Sequence, residues 1–99
     1  MTPSAPRVLA FAVYGPIRRS DLPGLCDRVC ALLASSDGAG VALCDVAGVE
    51  PDAVTVDALA RLQLGARRHR CRVRLRNASP ELLQLVAFMG LEDVLSEER

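Results

Sequence analysis

CDVAGVEPDAVTVDALARLQLGARRHR, residues 44–70, decides the fold. An apolar run, Val41-Ala42-Leu43, leads into Cys44 and ends at Asp45, which reads as the end of a strand. A short turn follows, and Gly48, Pro51 and Asp52 are its turn formers. From Val54 or Thr55 a long helical pattern begins. Wound at about 100° per residue, it puts Val56, Leu59, Leu62 and Ala66 on one side and Asp57, Arg61 and Arg68 on the other. A strand that runs straight into a helix puts the loop at the carboxyl end of the strand, where open α/β sheets keep their functional sites. The free N–H groups of the first helical turn point to the same place and suit an acceptor or an anion.

Working outward, Val8 to Tyr14 is an almost wholly apolar run, the pattern of a strand covered on both faces, and Gly15-Pro16 ends it. Ser20 is placed to cap the next helix, with Asp21 in its first turn. Leu22, Leu25, Val29, Leu32 and Leu33 form its core stripe, and residues 35–40 read as a turn. Beyond the central helix, Cys71 to Asn77 alternates, with Cys71, Val73 and Leu75 on one face and Arg72, Arg74 and Arg76 on the other. Ser79-Pro80-Glu81 is a helix start with serine as N-cap and proline at the first helical position. Leu82, Leu85, Val86 and Met89 make the next buried stripe, and Gly90 a stop. Glu92 to Arg99 reads as a short charged end, and residues 1–6 as a disordered tail. Strands alternating with crossover helices predict a single α/β domain with a small, mostly parallel or mixed sheet over residues 7–99.

At 99 residues the chain buries roughly two thirds of its unfolded surface, which suits one domain. The apolar fraction of 51% supplies a core, although only three residues are aromatic. The formal net charge is zero, which argues against an electrostatic nucleic-acid binder. Every basic side chain is arginine, a bias shared with alanine-rich chains from GC-rich bacterial genomes. No apolar run approaches membrane-spanning length and the first six residues lack a signal peptide's apolar region, so the sequence reads as cytoplasmic.

The order of these landmarks resembles a STAS domain, the family named for sulfate transporters and anti-sigma factor antagonists. Asp45-Val46-x-x-Val49, the acidic Asp52 before the central helix, Asn77-x-Ser79-Pro80-x-Leu82 and Gly90-Leu91 carry the resemblance, which spans about Val8 to Leu95. Phosphorylation-switched antagonists of that family read Asp-Ser-Ser-Gly or a close variant ahead of the helix. Here the segment is Asp52-Ala53-Val54-Thr55, so both hydroxyl positions are aliphatic and the glycine position is threonine. A second landmark, Gly-x-[Leu/Ile]-Asp, becomes Gly15-Pro16-Ile17-Arg18 and exchanges its acid for a base.

The resemblance implies a non-enzymatic interaction module without a cofactor, acting as a regulator like an anti-sigma factor antagonist. Its implied partner is an ATP-binding protein, either an anti-sigma factor of the histidine-kinase-like ATPase class or the ATPase subunit of a lipid-transporting ABC importer. The partner-binding residues it implies are Asp52, Val54, Thr55, Asp57, Ala60, Arg61 and Leu64, with Asp57 and Arg61 placed to pair across one turn. Leu64, flanked by arginines, fits either the rim of the core or a small interface.

The residues offer little else. Cys26 and Cys30 lie one helical turn apart, but neither a C-x-x-C nor a second ligand pair accompanies them, so they read as core thiols in a reduced compartment, not a metal or redox pair. Cys44 reads as an inert strand residue, and Cys71, at a strand's start, as more exposed. His69, between Arg68 and Arg70, suits a helix C-terminus. Asp45 and Asp52 come without a nucleophile, phosphate loop or metal spacing, and Asp52 reads as a cap. A small nucleotide- or thiol-dependent enzyme built on Asp52 or Cys71 is the remaining alternative. The Arg72, Arg74 and Arg76 stripe reads as a solvated strand face, with anion binding as its alternative.

Overall fold

A computed structural model describes residues 7–35 and 39–97; the expected disordered tail and the middle of the expected turn lie outside them. The described residues form strands β1 (Arg7–Tyr14), β2 (Ala39–Gly48), β3 (Arg72–Arg76) and β4 (Ser96–Glu97) and helices α1 (Leu22–Ser35), α2 (Ala53–Arg68) and α3 (Pro80–Phe88), in strict alternation. The sheet is parallel throughout, in the order β1-β2-β3-β4. The fold is therefore α/β, as the pattern predicts.

Sequential parallel strands joined by right-handed crossovers carry all their helices on one face of the sheet. α2 packs against α1, α3 and β3. Burial follows this one-sided layering. Val13, Ala42, Cys44, Val46, Val73 and Leu75 lie in the core with Val56, Leu59, Leu62 and Ala66 of α2. The alternate positions are open: Val8 is 59% and Tyr14 75% exposed. The first strand is thus not covered on both faces. It forms one edge of a sheet whose second face, among the described residues, carries no helix, and its apolar composition does not report that.

Other expectations shift for local reasons. β2 continues four residues past Cys44, because Asp45 still lies opposite Ala12 and Gly48 opposite Tyr14. Ser20 caps nothing. Arg19–Asp21 form a 3-10 turn closed by the Asp21 carboxylate, which accepts from the Arg18 N–H at 3.0 Å. Pro23, lacking an N–H, suits the first turn of α1, so the helix starts at Leu22, beyond the reach of Ser20. In the α1 stripe Leu22, Val29 and Leu33 are buried, but Leu32 is 38% exposed. Met89 falls at the C-cap of α3 and is likewise 38% exposed. Cys71 is buried, not exposed, because it closes the tight turn from α2 by donating its N–H to the Ala66 carbonyl at 2.9 Å. The charged end contains β4, whose preceding Leu95 is buried against the core.

The remaining caps match the sequence. Ser79 Oγ accepts from the Leu82 N–H at 3.1 Å with Pro80 starting α3, and Gly90 ends it at φ +74, where the absence of a Cβ removes the strain.

Candidate functional site

The carboxyl ends of β2 and β3 are tied by Asp45. Its Oδ1 accepts from the Ala47 N–H at 3.0 Å, and its Oδ2 accepts from Asn77 Nδ2 at 3.3 Å. Asn77 sits at φ +59, a region that asparagine tolerates better than most residues. Gly48 faces Tyr14 so closely that a Cβ there would lie 2.6 Å from the ring. Its carbonyl accepts from the Gly15 N–H at 3.0 Å, which joins this loop to the end of β1.

Asp52 is the N-cap of α2. Extended at φ −124, it accepts from the Thr55 N–H at 2.8 Å through Oδ1. Thr55 faces inward, fully buried, and its Oγ1 has no hydrogen-bond partner. It does not belong with the outward residues, because it stands one turn before Leu59 and two before Leu62 in the buried stripe of α2. Asp52 and Leu64 are exposed, and Val54, Asp57 and Ala60 are half-buried on the outer surface of α2.

Asp57 anchors a charged strip there. Its Oδ1 accepts from Arg61 Nε at 3.1 Å, one turn away, as the spacing predicts. Its Oδ2 accepts from Arg19 Nη1 at 3.2 Å, a pairing across 38 residues that no local pattern announces. Both arginines are largely exposed, so these bonds orient side chains more than they stabilise the domain. Beside the strip, Leu64 is 58% exposed and leans over a groove between α1 and α2 that Leu22, Cys26, Cys30, Arg61 and Gly65 help to line. Gly65 permits the close approach of the helices: a Cβ there would lie 2.9 Å from Cys30 Sγ. Leu64 faces outward and is not part of the core rim.

All four cysteines are free thiols. Burial, with Asp45 beside it, pushes Cys44 up to about 12. Burial also raises Cys71, against a lowering hydrogen bond from the Arg72 backbone. Cys26 is raised by burial and then by Cys30, with Arg61 opposing. These three are held away from the thiolate that nucleophilic or metal chemistry uses. His69 takes the C-cap position of α2, its N–H donating to the Ala66 carbonyl at 2.9 Å. Among the described residues no three His, Cys, Asp or Glu side chains gather as metal ligands, and no helix is long and apolar enough to cross a membrane.

Gln63 is the residue that the sequence reasoning missed. It sits in the inward stripe between Leu62 and Ala66 and is 2% exposed. Its Oε1 accepts from the Val73 N–H at 2.8 Å, and its Nε2 donates to the carbonyls of Val73 at 3.0 Å and Val94 at 2.8 Å. A lone amide within an apolar stripe is the signal that was there to read. Neither the known family models nor the curated proteins contain a match to this chain.

Proposed function

We propose that this chain is a STAS-type interaction module that works by binding an ATP-binding partner protein and turns over no substrate of its own. The contact surface is the loop over residues 48–52 with the outward side of α2. Exposed Leu64 beside the α1–α2 groove, next to the oriented strip Arg19–Asp57–Arg61, is the observation that carries this reading. An apolar anchor flanked by arginine and carboxylate groups is the composition of a small protein interface. Ala53 and Val54 have no hydroxyl and Thr55 Oγ1 is enclosed, so docking runs without the family's phosphoswitch. The role is that of a constitutive antagonist directed at a histidine-kinase-like ATPase.

The test is capture of the partner from native lysate by the full chain and by Leu64→Asp, Ala60→Glu and Leu62→Asp, with thermal melts of each. Leu64→Asp and Ala60→Glu put a charge into a desolvated contact, at a cost of about 2–5 kcal/mol. They should lose the partner and keep the melt, whereas Leu62→Asp should unfold. Retention of both partner and fold by the first two places the surface elsewhere. Mass spectrometry of the captured protein separates a histidine-kinase-like ATPase from an ABC importer ATPase. A captured protein of neither class defeats the assignment.

A further inference from the structure

At the opposite end of the sheet from the loop over residues 48–52, four arginines line one concavity of about 420 Å³. Arg67 comes from the last turn of α2, Arg70 from the turn after it, and Arg72 and Arg74 from the open face of β3; Gly40 and Val41 at the start of β2 close the floor. Among the described residues no carboxylate lines it. The arginine alternation in the sequence points at this face, but the pocket recruits Arg67 and Arg70 and leaves Arg76 out.

Two further observations concern what it accepts. Arg74 Nε is enclosed and has no hydrogen-bond partner among the described residues, an arrangement that an anionic acceptor would relieve. Two carbonyls at the end of α2 are already engaged: Ala66 accepts from the N–H groups of His69 and Cys71, and Arg67 from that of Arg70. An incoming anion therefore meets guanidinium donors, and not the bare negative end of the helix. Arg70 stands at φ +56, so the turn places its side chain with a backbone conformation that few non-glycine residues adopt.

We infer that this pocket binds a multiply charged phosphate group, such as a phosphomonoester or pyrophosphate. The planar fork of arginine matches phosphate oxygens in pairs, and four forks around one space exceed what a singly charged anion would occupy. The phosphate can belong to a soluble compound or to a lipid headgroup, since the groups that recognise it are the same.

The full chain is titrated with inorganic pyrophosphate by calorimetry at low salt, and separately sedimented with phosphatidylcholine vesicles containing phosphatidic acid. Saturable binding of one pyrophosphate, weakening as salt rises, is the expected result. Arg74→Gln and the more exposed Arg67→Gln should each weaken it by about tenfold or more, the loss of a charge-assisted contact. Arg28→Gln, an equal change of charge on the exposed surface of α1, should leave it unchanged. Vesicle association lost in the same two variants assigns a lipid phosphate; pyrophosphate binding without vesicle association assigns a soluble one. Failure to bind either probe overturns the site. So does an Arg28→Gln effect as large as that of the pocket variants, which would mean attraction by charge alone. Arg67→Gln keeps the test decisive where Arg74→Gln proves unstable.

Discussion

Replacing Gln63 by methionine keeps the length of the side chain and removes its amide. β4 begins opposite Arg74, so at Val73 the outer edge of β3 has no strand beside it. The Gln63 amide fills that gap as a peptide group would, meeting the N–H and the carbonyl of Val73 and bridging to Val94. Gln63→Met removes one partner from each of three backbone groups, two of them on a residue with no exposure. Each enclosed group costs about 1–3 kcal/mol when orphaned, and water can reach the less buried Val94 carbonyl, so a total of about 3–5 kcal/mol is expected. Set against the roughly 5–15 kcal/mol typical of a whole domain, that is a large share. Urea unfolding followed by far-UV circular dichroism measures it, and amide exchange at Val73 locates it. Gln63→Glu adds a second check, because its carboxylate cannot donate; this variant should be less impaired at pH 4 than at pH 7. A loss under about 1 kcal/mol for Gln63→Met, with the Val73 amide still protected, would refute the reasoning.

Thr55→Val removes an enclosed hydroxyl that has no partner and should stabilise the domain by about 1 kcal/mol in urea unfolding. Gly48→Ala should destabilise by about 1 kcal/mol through its collision with the Tyr14 ring, and in a Tyr14→Ala background it should become neutral or stabilising, as a thermodynamic cycle would show. For Cys44, raised in the folded state from 9.0 to about 12, the contribution is complete below pH 9 and is lost between these values, because the unfolded thiol ionises first. Stability should fall with a slope of up to about 1.4 kcal/mol per pH unit in that window, and Cys44→Ala should flatten the curve measured between pH 8 and pH 10.5.

Periodicity made the three helices and β3 legible, because each buries one stripe and shows it, and apolar runs bounded by turn residues marked β1 and β2. Val56, Leu59, Leu62 and Ala66 on α2 and Val73 and Leu75 on β3 are core residues for the reason the pattern gives. The second sheet face stayed hidden, since Val8, Ala10 and Ala12 are as apolar as covered residues and only the three-dimensional arrangement leaves them open. β4 stayed hidden as well, at two residues too short for any alternation. At the candidate surface, Asp57 and Arg61 follow from helical winding, Asp52 follows from its capping position, and the exposure of Leu64 decides between the two readings its place in the sequence allows. Arg19 does not, because its partner lies 38 residues away. Thr55 was placed on the outer surface because it precedes the helix start in the loop, although winding sets it in line with Leu59, Leu62 and Ala66 in the buried stripe.

The sheet order β1-β2-β3-β4 is also the order in which a ribosome would deliver the strands. No strand has to be inserted between two already paired, so each new strand and its crossover helix find their docking edge complete when they emerge. Local closure of this kind keeps the entropy of each step small. One bond runs ahead of that order: Gln63 must wait 31 residues for Val94. Until then its amide holds the unfinished edge of β3, the place where a growing sheet is most open to pairing with another chain.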